Sequence, residues 1–142
     1  MKKSLLFIAL VMMVSLSFAQ RIKSAEVPAV VKAAFQKLYP TAKDVKWDKE
    51  KAQYEASFDL NKADQSVLID ESGIIVETEV EIELNQLPKG VVEYVKANYK
   101  GATIKEVARI TDASGAITYE AEIKGMDLLF DSSGKFLKEV KN

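Results

Sequence analysis

A turn signal that occurs twice constrains this chain more than any other feature. Asp70-Glu71-Ser72-Gly73 lies between two β-like runs, and Asp131-Ser132-Ser133-Gly134 has the same setting near the C-terminus. An Asp that opens a turn can accept a hydrogen bond from the backbone two residues on, and a Gly in fourth place tolerates the positive φ that folds the chain back. Each signal therefore predicts a β-hairpin. Because matching motifs recur on both sides of the two turns, the sequence predicts two tandem copies of one structural unit.

An amphipathic helix is predicted ahead of each set of strands. In the first copy Pro28 suits the first helical turn, and Pro40 disfavours helical geometry at Tyr39. The second helix is predicted over 87–99, with Gly101 as its C-terminal cap. The residues predicted to face inward recur at helical spacing. They are Val27, Val30, Val31, Ala34, Phe35 and Leu38 in the first copy, and Leu87, Val91, Tyr94, Val95 and Tyr99 in the second.

After each helix the apolar period becomes alternating, which predicts strands. The predicted strands cover 45–48, 53–60, 67–69 and 74–84 in the first copy, and 106–109, 117–124, 128–130 and 135–140 in the second. The order is a helix and then about four strands, twice, without the βαβ rhythm of a parallel sheet. We therefore predict an α+β fold of two tandem helix-plus-antiparallel-sheet repeats, about 26–84 and 86–142, with the helices on one face of the sheet.

The N-terminus has the composition of a secretory signal peptide. Met1-Lys2-Lys3 is basic, residues 4–18 form a nearly uncharged apolar run, and Ser17 and Ala19 are the small residues that signal peptidase requires. A membrane anchor is the alternative, but an anchor needs about 20 apolar residues and this run is shorter. We predict that residues 1–19 are removed and that Gln20 becomes the N-terminus. The remaining single domain, 20–142, is then periplasmic or secreted, without membrane insertion.

The composition of that mature chain limits its partners and its means of stabilisation. Its length suits one compact domain, and we expect one hydrophobic core. Loss of Lys2 and Lys3 leaves 18 basic residues against 21 acidic ones, a net charge of about −3. This balance argues against nucleic acid as a partner, because polyanion binding normally begins with a basic patch. The chain has no Cys, so packing must stabilise an exported protein without disulfides.

Several motifs recur in the same order in the two copies. A Val-Pro or Leu-Pro helix start, a Tyr-Pro or Tyr-Lys stop, a strand with Trp47, a Tyr-Glu-Ala strand and an Asp-x-x-Gly turn follow one another along 27–140. In this order the chain resembles the PepSY-like, β-lactamase-inhibitor-like family of bacterial exported proteins. The resemblance implies tandem helix-on-sheet modules, an envelope location and a role in binding or inhibiting other proteins. The second copy has Glu106, Val107 and Arg109 in its first strand and lacks a counterpart of Trp47.

The residue types exclude several chemistries. The chain has no His and no Cys, which removes the usual general base, the thiolate nucleophile and the standard zinc ligand sets. Ser132-Ser133-Gly134-Lys135 matches the Ser-x-x-Lys motif of penicillin-recognising enzymes, but the serine of those enzymes opens a helix, and here Gly134 and a predicted strand follow. Neither Asp-x-x-Gly turn continues into the ligand pattern of an EF-hand loop. We therefore predict no catalytic residue, no metal ligand and no cofactor.

Two sets of strand side chains are candidates for function. An alternating row of carboxylates would project from one strand face about 7 Å apart; it consists of Glu77, Glu79, Glu81 and Glu83. That spacing suits paired-carboxylate catalysis, although the favoured interpretation is a solvated face that discourages edge-to-edge aggregation. The strand aromatics fall on the apolar phase, which favours core packing over a partner-binding patch. They are Trp47, Tyr54, Phe58 and Tyr119.

Two functional classes remain open, and a third is less favoured. The first is a non-catalytic protein-binding or inhibitor-like module whose partner is another envelope protein or a peptide. The second is a carboxylate-dependent hydrolase, and the third is a purely structural envelope protein. A deep cleft with two buried carboxylates would favour the enzyme, and a broad, shallow face would favour binding. The candidate partner-binding residues, predicted on the sheet face opposite the helices, are Glu55, Ser57, Glu77, Glu79, Glu120 and Glu122, with Glu55 and Glu120 at matching positions of the two copies.

Overall fold

The computed structural model describes residues 19–141, so the predicted signal peptide lies outside the described residues except for Ala19. The fold is α+β, as predicted. Its two helices are α1 (Ala29–Leu38) and α2 (Val91–Asn98). The strands are β1 (Gln20–Ile22), β2 (Lys46–Glu50), β3 (Gln53–Leu60), β4 (Ala63–Asp70), β5 (Ile75–Glu81), β6 (Glu106–Asp112), β7 (Ile117–Ile123), β8 (Met126–Asp131) and β9 (Phe136–Lys141).

All nine strands form one sheet in chain order, and every neighbouring pair is antiparallel. β1 and β9 are the edges, and β5 is the central strand. β1 was not predicted, because three residues are too few to show a period. Within residues 19–141 neither helix is long and apolar enough to cross a membrane.

The row of glutamates is shorter than predicted. β5 ends at Glu81, and Leu84–Gln86 forms a 3-10 turn. The backbone N–H of Glu83 donates to Oε1 of Gln86 at 2.8 Å, which turns the chain out of the strand. Glu83 therefore does not belong to the row. The suggested role in discouraging edge-to-edge pairing was also wrong, since β5 has a neighbouring strand on each side.

α1 packs on the sheet through a narrower stripe than predicted. Val31 and Phe35 are buried, and the Phe35 ring lies 5.4 Å from the Trp47 ring and 5.1 Å from that of Phe58. Val30 and Leu38, by contrast, are each 48% exposed. The prediction that those two side chains face the core was wrong, because a helix lying on a sheet buries only the stripe that touches it.

The single core expected from chain length is replaced by two clusters of buried residues, one under each helix. β5 lies between the clusters and contributes no buried residue to either. On the side of α2, the Tyr94 ring stacks on Phe136 at 4.8 Å and meets Phe130 edge-on at 5.6 Å. Two separate clusters form because each helix covers only its own half of the wide sheet.

Asp-x-Ser-Gly turns close three hairpins, one more than predicted. In the first, Oδ1 of Asp70 accepts hydrogen bonds from the backbone N–H of Ser72 and of Ile74, both at 2.9 Å, and from the Ser72 hydroxyl at 2.6 Å. The turns that begin at Asp112 and Asp131 repeat this pattern. These bonds, led by the one from the serine hydroxyl, lower the pKa of each aspartate.

The matching Ser-x-x-Lys stretch therefore lies in a hairpin turn. The Ser133 hydroxyl donates to Oδ1 of Asp131 at 2.6 Å, and the chain continues into β9 rather than into a helix. This geometry lacks the helical turn that brings a lysine beside the serine in penicillin-recognising enzymes.

Candidate functional site

The sheet places the six predicted binding residues on the face opposite the helices. Strand pairing aligns Glu55 with Leu68 and Leu68 with Glu77, and it aligns Ser57 with Ser66 and Ser66 with Glu79. Across the other half, Glu81 pairs with Ala108 and Ala108 with Glu120. Since side chains alternate between faces along a strand, these rows share one face. Glu122, two residues after Glu120, completes the set on that face.

This face is concave and forms an open-sided cavity of about 610 Å³. Most of its lining comes from β3 through β7, which in a flat sheet would span about 19 Å at the usual strand spacing. Lys46 of β2 and two residues before β2, Lys43 and Asp44, complete the lining. We call this cavity the trough and define it by Glu55, Ser57, Ser66, Glu79, Ala108 and Glu120. Four of the six predicted residues line it. Glu77 and Glu122 lie beside it on the same face.

The strand register explains how carboxylates from the two halves reach one cavity. Ala108 lies between Glu81 and Glu120 in its row and is 6% exposed. Its methyl group is too small to fill the space above β6, so the glutamates on the flanking strands face each other across it. Alternation in 106–112 would have placed Ala108 on this face, but the curvature that makes it the floor of a cavity has no signature in the sequence.

Partial burial and crowding raise the pKa values of the central carboxylates. Burial is the largest cause at Glu79, followed by the charges of Glu55 and Glu77, and together these effects raise its pKa to about 7. Burial also leads at Glu120, followed by the charge of Glu79, and the pKa of Glu120 rises to about 8. The pKa of Glu77 is raised as well, first by burial and then by Glu55 and Asp112. The interpretation of this row as a solvated face was therefore wrong for Glu77 and Glu79, which are half-buried, although Glu81 is exposed.

The trough is strongly anionic. Eight acidic side chains line it against two basic ones, Lys43 and Lys46. At one end of the trough Asp59 and Asp64 are paired across β3 and β4. A protonated Asp64 can donate a hydrogen bond to Asp59, and this bond and the charge of Asp59 raise the pKa of Asp64. Sequence reasoning considered Glu81 only as part of the row of glutamates, and it missed Asp44, which precedes β2, as a lining residue. It also missed the strand residues Asp59, Asp64 and Glu106. Alternation indicates their faces, but only the curvature places them in one cavity.

The chemistry of the trough is that of carboxylates and hydroxyls. A carboxyl group with a pKa of about 7 to 8 can hold or release a proton near neutral pH. Among residues 19–141 no three or more acidic side chains are arranged to hold a metal ion. The trough combines features of both functional classes. It contains three half-buried carboxylates, those of Glu55, Glu79 and Glu120. It also extends across β3 to β7 and has exposed residues such as Glu81 and Glu106 along its border.

The strand aromatics belong to the opposite face, as predicted. Trp47, Tyr54 and Phe58 are buried in the cluster under α1. Tyr119 is half-buried against the cluster under α2. Of the four, Phe58 also contributes to the lining of the trough, and Trp47, Tyr54 and Tyr119 are not among its lining residues.

Comparisons with known proteins agree with this architecture. The family model described as "Putative beta-lactamase-inhibitor-like, PepSY-like" matches the chain twice, at residues 13–77 and 65–138. No curated protein sequence matches the chain significantly.

Several solved structures share the fold, among them three from Bacteroides species. One is described as "putative periplasmic", from Bacteroides eggerthii (23% identity, 81% of this chain and 88% of that one, TM-score 0.71). A DUF2874 family protein from Bacteroides uniformis is 24% identical over 80% of this chain and 88% of its own, with a TM-score of 0.70. A BLIP-like protein from Bacteroides fragilis is 22% identical over 80% of this chain and 85% of its own, with a TM-score of 0.64. With its two family matches covering most of the sequence, this chain belongs to the beta-lactamase-inhibitor-like, PepSY-like family.

Proposed function

We propose that this chain is a non-catalytic, inhibitor-like binding module that holds a basic segment of another envelope protein in the trough. The observation that carries the proposal is the charge of the trough, which eight acidic and two basic side chains line. Family membership and the likeness to a protein described as BLIP-like support an inhibitor-like role.

The size of the trough suits a peptide segment or a protein loop. Five strands give a width of about 19 Å, and Glu77 and Glu122 extend the anionic surface beside the cavity. A stable protein interface buries roughly 800 Å² on each partner. A loop in the trough together with contacts along the neighbouring strands would reach that area.

Partial burial strengthens the attraction between the trough and a cation. Glu79 and Glu120 are half-buried, and a carboxylate withdrawn from water attracts an approaching ammonium or guanidinium group more strongly than one at an open surface. The cation in turn favours the ionised carboxylate. Binding near pH 7 therefore releases protons from Glu79 and Glu120.

The N-terminal sequence and the relatives support an exported location for the module. Residues 1–19 have the pattern of a signal peptide, and a protein of the same fold is described as periplasmic. We therefore place the mature protein, a single domain of 20–142, in the periplasm or outside the cell.

The proposal is tested by titrating the mature protein with a short lysine-rich peptide and with an acidic peptide of equal length. We expect the basic peptide to bind and the acidic one not to bind. The double variant Glu79→Gln/Glu120→Gln should weaken binding, because it removes the two central charges and preserves side-chain size. Glu93→Gln, which neutralises an exposed glutamate of α2 outside the trough, is the control. Equal binding by all three proteins would contradict the proposed site.

A second candidate is a carboxylate-dependent hydrolase. The observation that favours it is the pairing of a carboxyl of raised pKa, Glu120, with further carboxylates in the same cavity, which is the arrangement of an acid and a base. Turnover of glycoside or ester substrates that disappears in Glu120→Gln would support this candidate and overturn the non-catalytic proposal.

A further inference from the structure

The first strand of the sheet begins at the residue predicted to become the N-terminus. β1 starts at Gln20, directly after Ala19, and pairs with β2 through Gln20 and Lys49, Arg21 and Asp48, and Ile22 and Trp47. β1 is an edge strand, and Gln20 is exposed. Cleavage after Ala19 would therefore place a free α-amine on an exposed glutamine at the edge of the sheet.

We propose that Gln20 of the mature chain is a modification site, at which the N-terminal glutamine is converted to pyroglutamate. The inference rests on the export and cleavage included in the proposed function. It concerns the covalent state of β1 and is independent of what the trough binds.

The conversion is an intramolecular aminolysis that balances without a co-reactant. The α-amino nitrogen of Gln20 attacks the side-chain carboxamide carbon Cδ, so an N–Cδ bond forms. The Cδ–Nε2 bond breaks, and Nε2 leaves as ammonia after taking up the proton released by the amine. Nothing is oxidised or reduced, and the mass of the chain falls by about 17 Da.

Cyclisation preserves the groups of Gln20 that a strand uses for pairing. The lactam nitrogen keeps one N–H and the main-chain carbonyl of Gln20 is unchanged, so both pairing groups remain. Arg21 holds the strand in place through its Nε, which donates to Oδ1 of Asp48 at 2.9 Å. The ring removes the positive charge of the α-amine from the neighbourhood of Arg21 and Lys49, where like charges oppose pairing.

The modification has a structural consequence because β1 is attached to the core. Ile22 packs against the cluster under α1. Aminopeptidases require a free α-amine, and removal of residues 20–22 would strip Ile22 from that cluster. Pyroglutamate at Gln20 therefore protects the edge strand from stepwise trimming.

The full chain with its leader, exported by a Gram-negative host, provides the test. Intact mass of the recovered protein should equal residues 20–142 less one ammonia. The matched variant Gln20→Ser, which cannot form the lactam, should have the unmodified mass of its own residues 20–142. During incubation with a broad-specificity aminopeptidase, the wild type should stay intact while the variant loses the residues of β1.

Each contrary result overturns a defined part of the inference. A wild-type mass equal to unmodified 20–142 overturns the modification and leaves cleavage intact. Retention of the leader, or cleavage elsewhere, overturns the inference together with the predicted N-terminus but not the binding role of the trough. Equal resistance of wild type and variant to the aminopeptidase overturns the protective role.

Discussion

Gly134 lies against the segment that leads into α2, where a Cβ added to the glycine would stand 2.8 Å from the carbonyl oxygen of Lys89. The first copy has a similar contact at the first turn of α1, where a Cβ added to Gly73 would stand 3.2 Å from the carbonyl oxygen of Val30. Both glycines have φ of +87°. Two of the three Asp-x-Ser-Gly turns, those that begin at Asp70 and Asp131, therefore have two roles, because they reverse the chain and also pack against the start of a helix.

This double role predicts that Gly134→Ala destabilises the protein more than Gly115→Ala. Gly115 has φ of +84° but no atom within 4 Å of an added Cβ, so alanine there pays only the left-handed backbone cost of about 1–2 kcal/mol. At Gly134 the clash with backbone adds about 1–3 kcal/mol. Urea unfolding of the two variants measures the difference. Equal losses of unfolding free energy would show that the segment before α2 moves to admit the added methyl group without destabilising the protein.

The core under α1 predicts a large effect of Phe58→Ala. Phe58 is 5% exposed, and its ring lies 5.1 Å from Phe35 and 4.6 Å from Tyr39. Removing a buried aromatic ring costs about 3–5 kcal/mol in unfolding free energy. Leu137→Ala, at a side chain that is 51% exposed, is the control and should stay within about 0.5 kcal/mol of wild type. A loss below about 1 kcal/mol for Phe58→Ala would contradict its place in the core.

The raised pKa values predict that stability falls as pH rises. The ordinary pKa of a glutamate is 4.5, whereas in the folded state the pKa is about 7 for Glu79 and about 8 for Glu120. Between these values the folded state binds more protons than the unfolded state. The unfolding free energy therefore decreases as the pH rises. After allowance for solvent screening of these half-exposed groups, we expect a loss of about 2 kcal/mol from pH 5 to pH 8. Unfolding in urea at several pH values measures this slope. It should flatten in Glu79→Gln/Glu120→Gln, and a wild-type slope that the double variant retains would mean that other groups cause it.

The same carboxylates predict the pH and salt dependence of partner binding. Ionisation of Glu79 and Glu120 increases the negative charge of the trough, so a lysine-rich peptide should bind more tightly at pH 8.5 than at pH 6. Added salt should slow association, because ions screen the attraction. Calorimetry in two buffers of different ionisation enthalpy would detect the released protons. Affinity that is independent of both pH and salt would exclude recognition by charge.

Several elements of the fold could be predicted from the sequence because local chemistry decides them. Helical spacing identified Val31 and Phe35 as core residues of α1, and alternation assigned Trp47 and Phe58 to the helix face. The turn residues at Asp70 and Asp131 located two hairpins. Alternation also assigned all six candidate residues to the opposite face, because side chains in a strand have a period of two regardless of what the strand pairs with.

Tertiary structure alone decided how those faces are shaped. β5 pairs with β6 through Glu79 and Ile110, and this contact between the two repeats makes one sheet out of two predicted units. The curvature of that sheet brings Glu55 and Glu120 into one cavity, and the resulting loss of water raises the pKa of Glu120. No local pattern contains this information, since burial and charge crowding depend on residues far apart in the chain. The same reason accounts for β1, whose three residues become a strand only because β2 offers them a partner.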